Sequence, residues 1–174
     1  MKLINFLFGS LVLMSISSFS NANTVTVGGS IVETACSIDF GSRDQTIDMG
    51  SLPLAQIQRY GESPPRDFTV RLINCSIERP HLNNTPRPNW RHLRITFDGS
   101  HEKDLFKLFG QARGVGLRIN DGFYNIAYPG VAMPPQGIEQ GTKDLKFQLR
   151  LIPNKDAFRS GLYNAQIRFK IDYE

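Results

Sequence analysis

The sequence is poor in the residues that usually carry chemistry: 174 positions hold two cysteines, one tryptophan and three histidines. Two cysteines are too few for a disulfide-dense miniprotein, and the lack of a strict repeat excludes collagen-like and coiled-coil chains. No Gly-x-Ser-x-Gly elbow is present, so the sequence signature of an α/β-hydrolase nucleophile is missing. His81, His92 and His101 lie in or beside polar stretches at spacings that match no common zinc motif. Gly114-x-Gly116 lacks the third glycine of a dinucleotide loop and opens an alternating segment, so it reads as a strand entry. These absences predict a non-enzymatic protein without metal or cofactor.

Long apolar runs are scarce as well. The first 22 residues combine Lys2, a mostly apolar stretch over 6–14 and the ending Ser20-Asn21-Ala22, with small residues at the outer two positions. That is the pattern of a signal peptide cleaved after Ala22. An anchor helix would need about 18 to 20 unbroken apolar residues, and Asn5, Ser10, Ser15, Ser17 and Ser18 interrupt this stretch. The mature chain is therefore expected to begin at Asn23 and to work outside the cytoplasm.

What remains has an ordinary globular composition, 40% hydrophobic and 21% charged, too apolar for a disordered chain. Folding about 150 residues hides roughly two-thirds of the unfolded surface, enough for one domain with a real core. The dominant pattern is alternation with period two. Phe68, Val70 and Leu72 alternate with Thr69 and Arg71; Leu93, Ile95 and Phe97 alternate with Arg94, Thr96 and Asp98. The same pattern returns in Val115, Leu117 and Ile119, and in Leu145, Phe147, Leu149 and Leu151. A shorter run around Ile47 and Met49 predicts another strand, while residues 105–109 suggest a helical turn. Asp98-Gly99, Asp121-Gly122, Pro129-Gly130, Pro134-Pro135 and Pro153-Asn154 supply turn chemistry between the runs. Seven or eight short strands predict an antiparallel β-sandwich of immunoglobulin-like type, without the Cys-Trp-Cys spacing of antibody domains. In an oxidising compartment Cys36 and Cys75 most simply pair with each other. Neither has a histidine close in sequence to activate it as a nucleophile.

The two ends of the mature chain carry the sharpest signal. From Gly161, the side chains of Tyr163, Ala165, Ile167, Phe169, Ile171 and Tyr173 share one parity, and Asn164, Gln166, Arg168, Lys170, Asp172 and Glu174 share the other. This strand runs to the last residue, so no later strand of the sequence lies beside it, and an open apolar edge invites another chain to pair. Near the other end, Val25, Val27, Gly29 and Ile31 form an alternating, β-prone arm before Cys36. Gly29 there allows close backbone approach. The sequence offers one strand to give and one place that needs a strand. An earlier strand covering the C-terminal edge is the competing reading.

With these features, the chain resembles subunits of the chaperone-usher pili (fimbriae) of Gram-negative bacteria. The resemblance rests on the arm with Gly29, on Cys36 and Cys75, on Gly161 and on the alternating end with penultimate Tyr173. It implies an all-β, incomplete immunoglobulin-like sandwich lacking its last strand, with residues 23–35 a free N-terminal donor arm and 36–174 the pilin domain. It also implies completion first by a strand of a periplasmic chaperone, which would hold the Glu174 carboxylate with basic residues, and then by the arm of a neighbouring subunit. Assembly would pass through an outer-membrane usher, from the periplasm to a fimbrium on the cell surface. The segments Ile47-Asp48-Met49-Gly50, 70–75, Thr96-Phe97-Asp98-Gly99, Gly110-Gln111-Ala112-Arg113-Gly114, 128–134 and 169–174 look like the minor subunit that terminates Pap-type pili at the base, whose groove has a closed starting pocket. A tip-proximal adaptor would carry the same arm and end.

The formal charge of +4 raises the question of an anionic partner, with Arg79, Arg87, Arg91, Arg94 and Trp90 in one proline-rich loop. The plainer reading is a solvated loop with Trp90 tucked beneath it. Nucleic acid is not an expected partner. The alternative in a different class is a secreted glycan-binding β-sandwich module.

Overall fold

The computed structural model describes residues 25–81 and 85–174. The expected signal peptide, residues 1–22, lies outside the described residues. The chain divides into a unit ending at Val32 and a unit Glu33–Glu174. Described residues 25–32 carry no regular structure. Val25, Val27 and Ile31 are 86%, 89% and 104% exposed.

In the second unit, strands run in the order β1 (Ser37–Ile38), β2 (Arg66–Cys75), β3 (His92–Gly99), β4 (His101–Glu102), β5 (Leu105–Phe106), β6 (Phe109–Gly110), β7 (Val115–Asp121), β8 (Ile126–Ala127), β9 (Gln136–Gly137), β10 (Gly141–Pro153), β11 (Tyr163–Asn164) and β12 (Ile167–Tyr173). A seven-stranded sheet has the order β1-β2-β10-β7-β5-β4, with β8 also on β7. A three-stranded sheet has the order β12-β3-β9, and β11 pairs with β6. Period two decides which faces meet. Val70 and Leu72, Leu117 and Ile119, and Leu145, Phe147, Leu149 and Leu151 are buried from the large sheet, and Leu93, Ile95 and Phe97 from the small one. Phe97 meets Phe147 edge-on at 5.0 Å between ring centroids, which locks the two layers at their centre. This is the expected immunoglobulin-like sandwich. Cys36 and Cys75 form the expected disulfide across 39 positions.

Four details differ from the sequence reading. Residues 105–109 are not a helical turn. Lys103, at φ 52, reverses the chain so that Leu105 pairs with Glu102, and Phe106 then pairs with Leu117. Ile47 and Met49 lie in no strand, yet both pack on the core. Two helices appear that alternation does not announce, α1 (Phe40–Arg43) and α2 (Leu54–Tyr60). The second follows Pro53 and ends on Gly61 in the left-handed conformation, with Ile57 as its buried anchor. Finally, the C-terminal alternation is two strands. Residues 165 and 166 belong to neither, because β11 is drawn to β6. Gly161 there has φ 152, and a Cβ would meet Gln111 Cβ at 2.5 Å. Only glycine fits so close an approach.

Candidate functional site

β12 is an edge strand. It pairs antiparallel with β3 from Ile167 opposite Gly99 to Tyr173 opposite Leu93, and among the described residues no strand pairs with its other side. In an antiparallel ladder every second residue directs its N–H and C=O away from the partner. β12 therefore offers a row of backbone donors and acceptors to whatever comes next. Its inward side chains Ile167, Phe169, Ile171 and Tyr173 pack on the core but are only partly buried. Ion pairs decorate the outward face, Arg168 with Asp98 at 3.1 Å and Lys170 with Asp172 at 3.0 Å.

The opposite rim is the segment after Cys36. It is pinned along β2 mostly by isolated bonds in place of a long ladder. Beyond the two β1 residues, the Asp39 N–H donates to the Arg71 carbonyl at 2.9 Å. The Arg71 N–H donates to Ser42 Oγ at 2.9 Å, and Gln45 Nε2 donates to the Thr69 carbonyl at 2.9 Å. Ile38, Ile47, Met49 and Leu52 on this segment are likewise partly buried against the core.

A tyrosine lies toward each end of the C-terminal segment, and Tyr173 ties it to the other rim. Tyr173 Oη donates to the Cys36 carbonyl at 3.3 Å, and its ring lies 5.9 Å from Trp90. At the far end the Tyr163 hydroxyl is buried and has no hydrogen-bond partner among the described residues. Burial, followed by the nearby Asp48 charge, raises the Tyr163 pKa; burial also raises that of Tyr173. Along the two rims lie eight partly exposed apolar side chains, Tyr173 among them. Covering them is worth on the order of 4 kcal/mol, a sizeable part of the 5–15 kcal/mol typical of net domain stability.

The remaining sequence candidates fall as follows. Glu174 is stitched to β3: its N–H donates to the His92 carbonyl at 2.8 Å, and Arg94 Nε meets its Oε1 at 2.7 Å. Ala165 is exposed, and Gly161 lies outside both final strands. Val25, Val27, Gly29 and Ile31 lie on the exposed segment of the first unit. Trp90 is buried as expected, with the Arg79 guanidinium 3.9 Å above its ring. Arg79 and Arg87 share Glu33 at 3.3 and 2.7 Å, and Arg94 binds Glu174, so three of the loop's four arginines already meet a carboxylate of this chain. Among the described residues no group of His, Cys, Asp or Glu is arranged to hold a metal, and no helix is long and apolar enough to cross a membrane.

Sequence reasoning missed the second rim as a rim. Its signal was there in Ile38, Ile47, Met49 and Leu52, apolar residues in a polar context, but no single period joins them, because Ile38 ends the short β1 and the other three lie in irregular chain.

No protein-family model matches the chain. The chain is 34% identical to the PRS fimbrial minor pilin protein of Escherichia coli over 151 residues, covering 86% of this chain and 76% of the relative. It is 34% identical over 148 residues to the PAP fimbrial minor pilin protein of Escherichia coli, covering 84% and 74%. The fold matches a chain from a solved structure of a chaperone-usher pilus with a TM-score of 0.68 at 21% identity, covering 92% of this chain and 99% of that one. An edge strand open on one side, an immunoglobulin-like sandwich and these relatives agree: the chain belongs to the fimbrial minor pilins, structural and non-enzymatic subunits of chaperone-usher pili.

Proposed function

We propose that this subunit is assembled by donor-strand complementation and exchange, and that it terminates its pilus at the base. The observation that carries the first part is the unpaired edge of β12 above a row of partly exposed apolar side chains. An extended strand laid there gains main-chain hydrogen bonds along the edge and alternate side-chain burial below it. A periplasmic chaperone supplies that strand first. Residues 25–32, with Val25, Val27, Gly29 and Ile31 at alternate positions, are the strand this subunit gives to a neighbour. Residues 1–22 direct export to the periplasm, where the Cys36–Cys75 disulfide forms, and the usher passes the subunit to the cell surface.

Tyr163 favours the terminator over a tip-proximal adaptor. Its ring is partly buried against the core near Asp48 with its hydroxyl buried; on this reading it fills the β11 end of the groove, so a strand entering there meets an aromatic side chain where an open pocket would have admitted one of its own residues. The mature chain expressed alone is expected to aggregate, and co-expression with its chaperone to yield a soluble one-to-one complex; a protease-resistant monomer without partner overturns the scheme. Challenged with a synthetic donor-strand peptide, that complex is expected not to exchange, whereas Tyr163→Ala is expected to exchange. Ready exchange by the unaltered complex removes the terminator role and leaves the adaptor.

A further inference from the structure

The arm begins at a point that is held by three independent devices. Cys36 is tied to Cys75 by the disulfide. The Ser76 N–H donates to the Ala35 carbonyl at 2.8 Å, extending the β1–β2 ladder past the disulfide. Glu33 is then gripped by Arg87 Nη1, which reaches both carboxylate oxygens at 2.7 and 2.8 Å, and by Arg79 Nε at 3.3 Å. Arg79 is itself fixed on the Trp90 ring, and Trp90 rests against Tyr173 at the end of β12. The Arg87 hydrogen bonds hold the Glu33 carboxyl below its ordinary pKa.

The position of this grip matters because of direction. Cys36 lies beside Tyr173, the last residue of β12. The arm runs toward Cys36, and β12 runs toward the same place. An arm that folded back into this chain's own groove would therefore lie parallel to β12. Such a fold-back needs the chain to reverse immediately before Cys36. Holding Ala35 and Glu33 on the continued ladder carries the chain about 10 Å past Cys36 before it is free to turn. That distance must be recovered before the groove is reached, so only about half of an eight-residue arm, some 26 Å fully extended, overlaps β12.

We propose that Glu33 is the positioning residue of strand donation: its clamp by Arg79 and Arg87 denies the arm this chain's own groove and commits it to a groove on another subunit. The proposal rests on the donor-strand reading above. Its test compares the unaltered chain, Glu33→Gln, Arg87→Gln and a Glu33→Gln chain lacking residues 25–32. Each is purified with its chaperone, separated from it in urea and diluted, and the soluble chaperone-free monomer and the protease protection of residues 25–32 are measured. Either single substitution is expected to raise the arm-protected monomer a few-fold, the worth of a solvent-screened ion pair, and deleting the arm is expected to abolish it. The charge swap Glu33→Arg with Arg87→Glu is expected to restore the unaltered behaviour, which a general loss of stability would not produce. No gain of arm-protected monomer in either single variant overturns the proposal and leaves the donor-strand reading intact. A stable monomer from the arm-deleted chain overturns that reading itself.

Discussion

β3 and β12 are neighbours in one small sheet, written in the same alternation of apolar and polar side chains, and paired residue by residue along seven positions. In β3, Leu93, Ile95 and Phe97 are 0%, 1% and 2% exposed. In β12, their counterparts Tyr173, Ile171 and Phe169 are only partly buried. The chemistry of the side chains does not account for the difference; the number of flanking strands does. β3 has β12 on one side and β9 on part of the other, whereas among the described residues β12 has β3 alone. A period-two pattern thus reports that a face is meant to be buried, and says nothing of whether this chain supplies the cover.

The comparison can be broken most directly at the cross-strand pair Phe97 and Phe169, whose rings lie 6.2 Å apart. Phe97→Ala is expected to destabilise the sandwich by about 3–5 kcal/mol, measured by chemical denaturation of the chaperone complex. Phe169→Ala is expected to act mainly on complex formation, with a smaller effect on the chain's own packing. Equal losses at the two positions within the chain would show that β12 is already covered. Next in size, Cys36→Ser with Cys75→Ser is expected to remove about 4 kcal/mol by freeing a loop of about 40 residues in the unfolded chain. This variant loosens the rim beside Tyr173 and should weaken strand binding more than it disturbs the β7–β10 pairing.

The seven strand positions of β12, the disulfide and the principal turns were legible in the sequence because each depends on local spacing or residue type. The interruption at residues 165 and 166 was not, since it follows from β11 pairing with β6, more than fifty positions earlier in the chain. Leu105 and Phe106 were misread because a short apolar cluster fits either period, and Lys103 decided it by adopting a positive φ. The Glu33 clamp joins residues 46 and 54 positions apart, and no local pattern marks such a pair. Of the candidate groove, one wall was readable as a strand; the other, from Ile38 to Leu52, was not, because its apolar side chains come from a two-residue strand and from irregular chain.

Two smaller effects sharpen the picture. Tyr173→Phe removes the hydrogen bond that ties β12 to the Cys36 carbonyl and is expected to cost about 1 kcal/mol of stability, with the ring packing on Trp90 retained. Smallest of all is an acid response at the Arg71–Asp144 pair across β2 and β10, 2.8 Å apart. Hydrogen bonding to Arg71 lowers the Asp144 pKa, so the pair stabilises the fold above the ordinary carboxylate range and loses that contribution as pH falls through the depressed value. Both groups are solvent-exposed, so Asp144→Asn is expected to shift the acid midpoint of unfolding only slightly, by an amount that shrinks in high salt.

The most direct measurement is residue-resolved amide hydrogen exchange on the purified chaperone complex. A strand laid along the open edge makes every amide of residues 167–173 slow to exchange, those facing β3 and those facing away alike. If the outward-facing amides exchange freely while their neighbours stay protected, the partner sits elsewhere and the edge of β12 is not where this subunit is completed.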